Sequence, residues 1–148
     1  MATTQLPSDF KEFLRLLNLH QVEYLLIGGY AVSYHGYPRT TAGMDIWIAI
    51  QKENAKKVVT VLKEFGFDTP HLTADLFLRE NQIIRMGNPP MRIELLTTIS
   101  GVCFEECYSQ RTIGVIDDVE VQIINLEHLK RNKQASARQK DLDDLEHL

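Results

Sequence analysis

LLIGGYAVSYHGYPRTTAGMDIWIAI, residues 25–50, is the stretch from which the fold is read. It continues an apolar run that starts at residue 22 and is cut by Gly28-Gly29, the pattern of a short buried strand entering a tight turn. Residues 30–35 suit a short helix, which Gly36 and Pro38 bring to an end. The chain resumes at 44–50 with strand alternation. Met44, Ile46, Ile48 and Ile50 point one way; Asp45, Trp47 and Ala49 point the other. Asp45 is the one carboxylate in this otherwise apolar segment, and burying it unpaired is costly, so it calls for a cation or a hydrogen-bonding partner.

Upstream, Phe10, Phe13, Leu14 and Leu17 keep the i, i+3, i+4, i+7 spacing of an amphipathic helix, with Ser8 or Asp9 as the expected cap. Downstream, Ala55, Val58, Val59, Leu62 and Phe65 form the inner face of a second helix closed by Gly66. Residues 71–79 read as a short helix or turn. Residues 82–86 and 91–96 read as strands joined through the turn cluster Gly87-Asn88-Pro89-Pro90. A short helix over 104–108 precedes a hairpin of 112–116 and 119–124, turning at Asp117-Asp118. A last helical pair follows, 126–134 and 138–148, after Asn125. Strands alternating with helices, yet containing two hairpin-like pairs, predict an α+β chain: a mixed β-sheet flanked by helices rather than a purely parallel one.

The 148 residues suit one domain with a real core. A net charge of −4 argues against whole-surface nucleic-acid binding, which rests on clustered Lys and Arg, though a local basic patch is compatible with it. No apolar run reaches the roughly 20 residues that cross a bilayer, and no charged-then-apolar leader opens the chain. Cys103 and Cys107 sit four apart on a helical segment, without a further Cys or His at zinc-finger spacing, so packing is expected rather than a disulfide or a zinc site. A reducing, cytoplasmic setting fits. Neither G-x-x-x-x-G-K-[ST] nor G-x-G-x-x-G follows the first strand, which sets aside P-loop and Rossmann nucleotide binding.

Gly28-Gly29, His35-Gly36-Tyr37-Pro38-Arg39-Thr40-Thr41 and Gly43-Met44-Asp45-Ile46-Trp47-Ile48 together resemble the signature of the DNA polymerase β-type nucleotidyltransferase superfamily. There a glycine turn after a strand is followed by two carboxylates flanking one apolar residue. Alternate residues of a strand share a face, so such a pair shares one pocket. Here Asp45 keeps its half and Gly43 stands where the first carboxylate would be. Arg92-Ile93-Glu94-Leu95-Leu96-Thr97, followed by Gly101-Val102, resembles the segment bearing the third carboxylate and offers Glu94. Otherwise Glu94 pairs with Arg92 or is solvated on an edge strand. The tail, Asn132-Lys133 and then Arg138-Gln139-Lys140-Asp141, resembles that of small stand-alone AbiEii/MNT-like nucleotidyltransferases.

The resemblance implies a nucleotidyltransferase fold and an enzyme that moves a nucleoside monophosphate from an NTP to a hydroxyl with Mg²⁺. Asp45 and Glu94 would be the catalytic and metal-binding carboxylates, and Gly28, Gly29, Arg39, Lys133, Arg138 and Lys140 the nucleotide-binding residues. A glycine turn at a strand-to-helix junction lets backbone N–H groups approach phosphate, although a tight turn alone also explains it. Arg39 either pairs with a triphosphate through its guanidinium fork or is a surface residue; His35 is assigned a structural hydrogen bond, and Asp141 a pairing with one of the tail cations. Gly43 implies weakened Mg²⁺ binding and impaired transfer, with Gly43→Asp expected to raise it and Asp75 as a candidate replacement ligand. Alternatively the chain is a non-catalytic interaction protein, such as the antitoxin-like partner of a small helical toxin. Nucleic acid enters only as an acceptor, and no membrane is involved.

Overall fold

The computed structural model describes residues 5–148. The first helix, α1 (Ser8–Leu19), buries Phe10, Phe13, Leu14 and Leu17, the stripe that the sequence spacing marks. Its cap differs from expectation. Pro7 takes the capping position with no side-chain hydrogen bond, and its carbonyl accepts from the N–H groups of Phe10 and Lys11. The ring of Pro7 already holds φ at −51°, so the helix opens one residue early and Ser8 falls inside it.

Strand β1 (Tyr24–Ile27) is buried throughout, and α2 (Gly28–Tyr34) starts directly on the glycine pair rather than after it. Strand β2 (Gly43–Ile48) follows, then α3 (Lys52–Phe65), which ends on Gly66 at φ 99°; there the Phe67 N–H reaches back to the Leu62 carbonyl. Such a left-handed ending is cheap only without a side chain. The ambiguous segment contains a single 3₁₀ turn, Ala74–Leu78, anchored by buried Phe77. Strands β3 (Ile83–Met86) and β4 (Arg92–Leu96), helix α4 (Phe104–Ser109), strands β5 (Thr112–Ile116) and β6 (Val119–Ile123), and helices α5 (Leu126–Ser136) and α6 (Gln139–His147) complete the chain.

The six strands form one sheet in the order β3-β4-β2-β1-β6-β5. β2 runs parallel to β4, and β1 parallel to β6; the other neighbours are antiparallel. The architecture is thus α+β with a mixed sheet, as the sequence pattern predicts. β2 lies near the middle with every residue but Asp45 buried. Trp47, on the Asp45 side of the strand, packs edge-to-face on Phe104 of α4 and donates its indole N–H to the Thr97 carbonyl. Buried Asn54 ties the start of α3 to both strands, accepting from the Glu23 N–H and donating to the Glu23 and Ala49 carbonyls. The β5–β6 hairpin turns on Asp117 and Asp118, both at positive φ, the conformation of a type I′ turn. Cys103 and Cys107 are both free thiols.

Candidate functional site

Register decides what the sheet presents at its centre. Asp45 on β2 stands directly opposite Glu94 on β4, and Glu94 in turn opposite Arg85 on β3. Partners in register send their side chains to the same face of a sheet. The two carboxylates, from segments 49 residues apart, therefore converge above the same patch. They border an open cleft of about 750 Å³ whose wall also includes Gly28, Gly29, Arg39, Lys133, Arg138 and Lys140. Asp45, Glu94 and the six residues assigned from the sequence to nucleotide binding all line this one cavity.

Their states differ sharply. The Asp45 carboxylate makes no hydrogen bond or ion pair to any described residue, though its backbone is paired in the sheet. Burial is the largest influence on its carboxyl, which is pushed up to about 6 from 3.8; the charge of Glu94 adds to this, while Lys140, Lys133 and Arg138 act in the opposite sense. Glu94 is engaged: its Oε1 accepts from Arg85 Nε at 3.1 Å and from Arg92 Nη1 at 3.4 Å. Its pairing with Arg92 and its place beside Asp45 thus hold together.

The glycines have reasons within the chain itself. Gly28 sits at φ +67°, and a β-carbon there would collide with the Asp45 carboxylate. A β-carbon on Gly29 would collide with the Thr41 side chain. Both make room for neighbouring residues, which accounts for them without a phosphate. Gly43 is more constrained still. A β-carbon on it would run into the carbonyl and Cβ of Arg92, its register partner on β4. The position is closed by backbone, so the expectation that Gly43→Asp simply restores a ligand is revised: the two strands would have to part.

Two of the proposed phosphate contacts are already committed. Arg39 clamps Asp144 with Nε at 2.6 Å and Nη2 at 2.8 Å, and its Nη1 donates to the Thr40 carbonyl. Lys133 is buried with its ammonium 3.0 Å from Asp141 and 3.1 Å from Asp144. Arg138 holds Asp141 through Nε and Nη2, which bears out the pairing expected of Asp141. Burial by itself raises the carboxyls of Asp141 and Asp144, but the hydrogen bonds from Arg138 and Lys133, and from Arg39 and Lys133, overcome it and hold both below the ordinary range. Arg39 and Lys133 therefore shape the cleft wall as members of this network. Lys140 has no recorded protein partner.

Asp75 does not serve as a substitute ligand. It lies on the 3₁₀ turn, exposed, paired with Arg79 at 2.6 Å, and outside the cleft lining. His35 bonds the Ile124 carbonyl at 2.8 Å, the structural role expected of it. Sequence reading missed Asp144 and Arg85. Asp144 follows Asp141 by three, which on a helix marks one face; Arg85 carries no local signal, since only strand pairing brings it to Glu94. Among the described residues no cluster of three or more His, Cys, Asp or Glu forms a metal-holding group. Asp45 and Glu94 are a two-carboxylate set, and the unpartnered, partly buried Asp45 suits a cation.

The chain matches no protein-family model and no curated protein sequence. Among solved structures it resembles a protein from Thermotoga maritima described as a candidate nucleotidyltransferase. The TM-score is 0.59 and the identity 12%, over 93% of this chain and 86% of the other. It also resembles an antigenic nucleotidyltransferase-like protein from Paracoccidioides brasiliensis. That TM-score is 0.57 and the identity 20%, over 97% of this chain and 77% of the other. The fold is the nucleotidyltransferase fold.

Proposed function

We propose that the cleft binds a nucleoside triphosphate with Mg²⁺ between Asp45 and Glu94, and that transfer of a nucleoside monophosphate to a hydroxyl is impaired by Gly43. The observation that carries this reading is the register pair Asp45–Glu94, with the Asp45 carboxylate left without a protein partner in a cleft large enough for a nucleotide. When bound, the metal supplies charge neutralisation at the transferring phosphorus. Asp45 is the residue poised to hold it, since a cation there offsets the burial and the Glu94 charge that oppose ionisation. Glu94 completes the pair with Oε2, since both arginine bonds fall on Oε1. Arg138 and Lys140 place positive charge along the phosphate path. Removing one preorganised electrostatic element costs on the order of 10²–10³ in rate, and with no side chain at position 43 the site works at that disadvantage. The acceptor is a hydroxyl on a protein, a nucleic-acid end or a small molecule.

The test is thermal unfolding with Mg²⁺ and ATP, paired with transfer from α-phosphate-labelled ATP. A rise in Tm with ATP that Mg²⁺ increases further, the increment being lost in Asp45→Asn, with slow labelling of an acceptor, is the expected result. No ligand-dependent shift and no labelling would remove the reading.

A second reading is favoured by the closure of position 43: a non-catalytic interaction protein that keeps the fold and binds a partner, such as a small helical toxin, in a reducing cytoplasm. Co-purification with such a protein, without turnover of NTP, supports it; turnover by the chain alone rejects it. No helix among the described residues is long and apolar enough to cross a membrane.

A further inference from the structure

The sheet floor of the cleft carries its charges in two rows. One row is Asp45, Glu94 and Arg85, register partners on β2, β4 and β3. The next is Gly43 and Arg92, and because backbone closes the space beside Gly43, the only side chain in that pair is a guanidinium. The floor is therefore two carboxylates and two guanidiniums. Arg85 spends only Nε on Glu94, and Arg92 only Nη1, so most of each fork has no recorded protein partner. From the C-terminal helices, Lys140 lines the cleft with no recorded partner, and Arg138 keeps Nη1 beyond its two bonds to Asp141.

The balance is decisive in sign. Six cationic side chains line the cleft against Asp45 and Glu94. Setting Asp141 and Asp144 against the cations they bind still leaves an excess of two positive charges, on a chain whose net charge is −4. A charge excess of one sign inside a concave wall attracts the opposite ion more strongly than the same groups on an open surface. Guanidinium forks match phosphate oxygens in pairs, and an ammonium adds a mobile point charge.

We propose that the cleft binds a polyphosphate directly through Arg85, Arg92, Arg138 and Lys140, so that binding does not require a divalent cation. The proposal rests on the reading above only for the nucleotide attached to that polyphosphate. A metal at Asp45 then joins a complex that protein cations have already formed.

The experiment is isothermal titration of the full chain with inorganic tripolyphosphate and with ATP, each in EDTA and in Mg²⁺. Both ligands bind in EDTA, with a Kd within about tenfold of that in Mg²⁺. Arg92→Gln and Lys140→Gln each weaken binding in EDTA by about tenfold or more, the loss expected of a charge-assisted contact. Arg85→Gln serves as a second floor variant, each variant's fold being checked by its thermal transition. Lys52→Gln, on the exposed start of α3, leaves binding unchanged. Binding in Mg²⁺ alone overturns this proposal and leaves the nucleotide reading standing. Tripolyphosphate binding in EDTA without any ATP binding supports the anion site and overturns the nucleotide reading. Binding of neither ligand in either buffer overturns both, and normal metal-free binding by all three variants overturns the residue assignment.

Discussion

Arg39 and Asp144, 105 residues apart in the chain, are joined by two hydrogen bonds of 2.6 and 2.8 Å, and the same carboxylate faces the Lys133 ammonium at 3.1 Å. This joint fastens α6 to the segment linking α2 and β2. Lys133 and Asp144 are almost fully buried, where removing one member leaves the remaining charges uncompensated. Lys133→Met is expected to cost about 3–5 kcal/mol, a fall in Tm of roughly 10 °C for a chain of this size. Chemical denaturation reads the first, and limited proteolysis should show α6 cleaved earlier than in the wild type.

Gly43 leads to an outcome opposite to simple repair. Because β4 backbone fills the place of its side chain, Gly43→Ala and Gly43→Asp should each destabilise by about 1–3 kcal/mol through overpacking. Nor should Gly43→Asp raise nucleotide transfer. Urea unfolding and the labelled-ATP assay test the two halves separately. A stable Gly43→Asp protein with faster transfer would show that β2 and β4 part readily.

The raised carboxyl of Asp45 sets a pH dependence whose sign follows from proton uptake. Between about 4 and about 6 the folded chain holds a proton that the unfolded chain has released. The stabilisation from this group is full below about pH 4 and is lost as pH rises through about 6. Asp45→Asn should therefore match the wild type near pH 4 and exceed it near pH 8, by at most about 3 kcal/mol for a shift of roughly two units. Thermal melts across that range check it. Protons also compete for the same oxygens, so Mg²⁺ affinity should weaken below about pH 6.

Asn54 is 1% exposed and bridges β1 to the end of β2. Asn54→Ala would leave the Glu23 N–H and the Ala49 carbonyl without this partner, while the Glu23 carbonyl keeps the Ala49 N–H. The expected loss is about 2 kcal/mol or more, measurable by urea unfolding without change in the cleft's anion binding.

Local chemistry made much of this architecture legible. The stripe from Phe10 to Leu17, the left-handed stop at Gly66, the aspartate turn of the last hairpin and the Gly-Asn-Pro-Pro turn before β4 each act over a few residues. The resemblance of Gly28-Gly29, the Asp45 strand, the Glu94 segment and the tail to a nucleotidyltransferase signature was enough to nominate eight of the residues that share the cleft. What each of those residues is doing was not legible. A lysine or arginine in a sequence carries no mark of the carboxylate it will meet, and Lys133 and Arg39 find theirs on α6, an element that reaches them only by folding.

By itself the sequence determined which segments become helix and which become strand, and that a lone aspartate interrupts an apolar strand, because propensity and periodicity are written in neighbouring residues. Only the tertiary structure decided that Arg85 lies opposite Glu94, that Asp144 is shared by Arg39 and Lys133, and that Gly43 is pressed against the Arg92 carbonyl. Strand order and register are chosen by packing on both faces of the sheet, between segments far apart in the chain. Interstrand distance and charge pairing exist only once that choice is made.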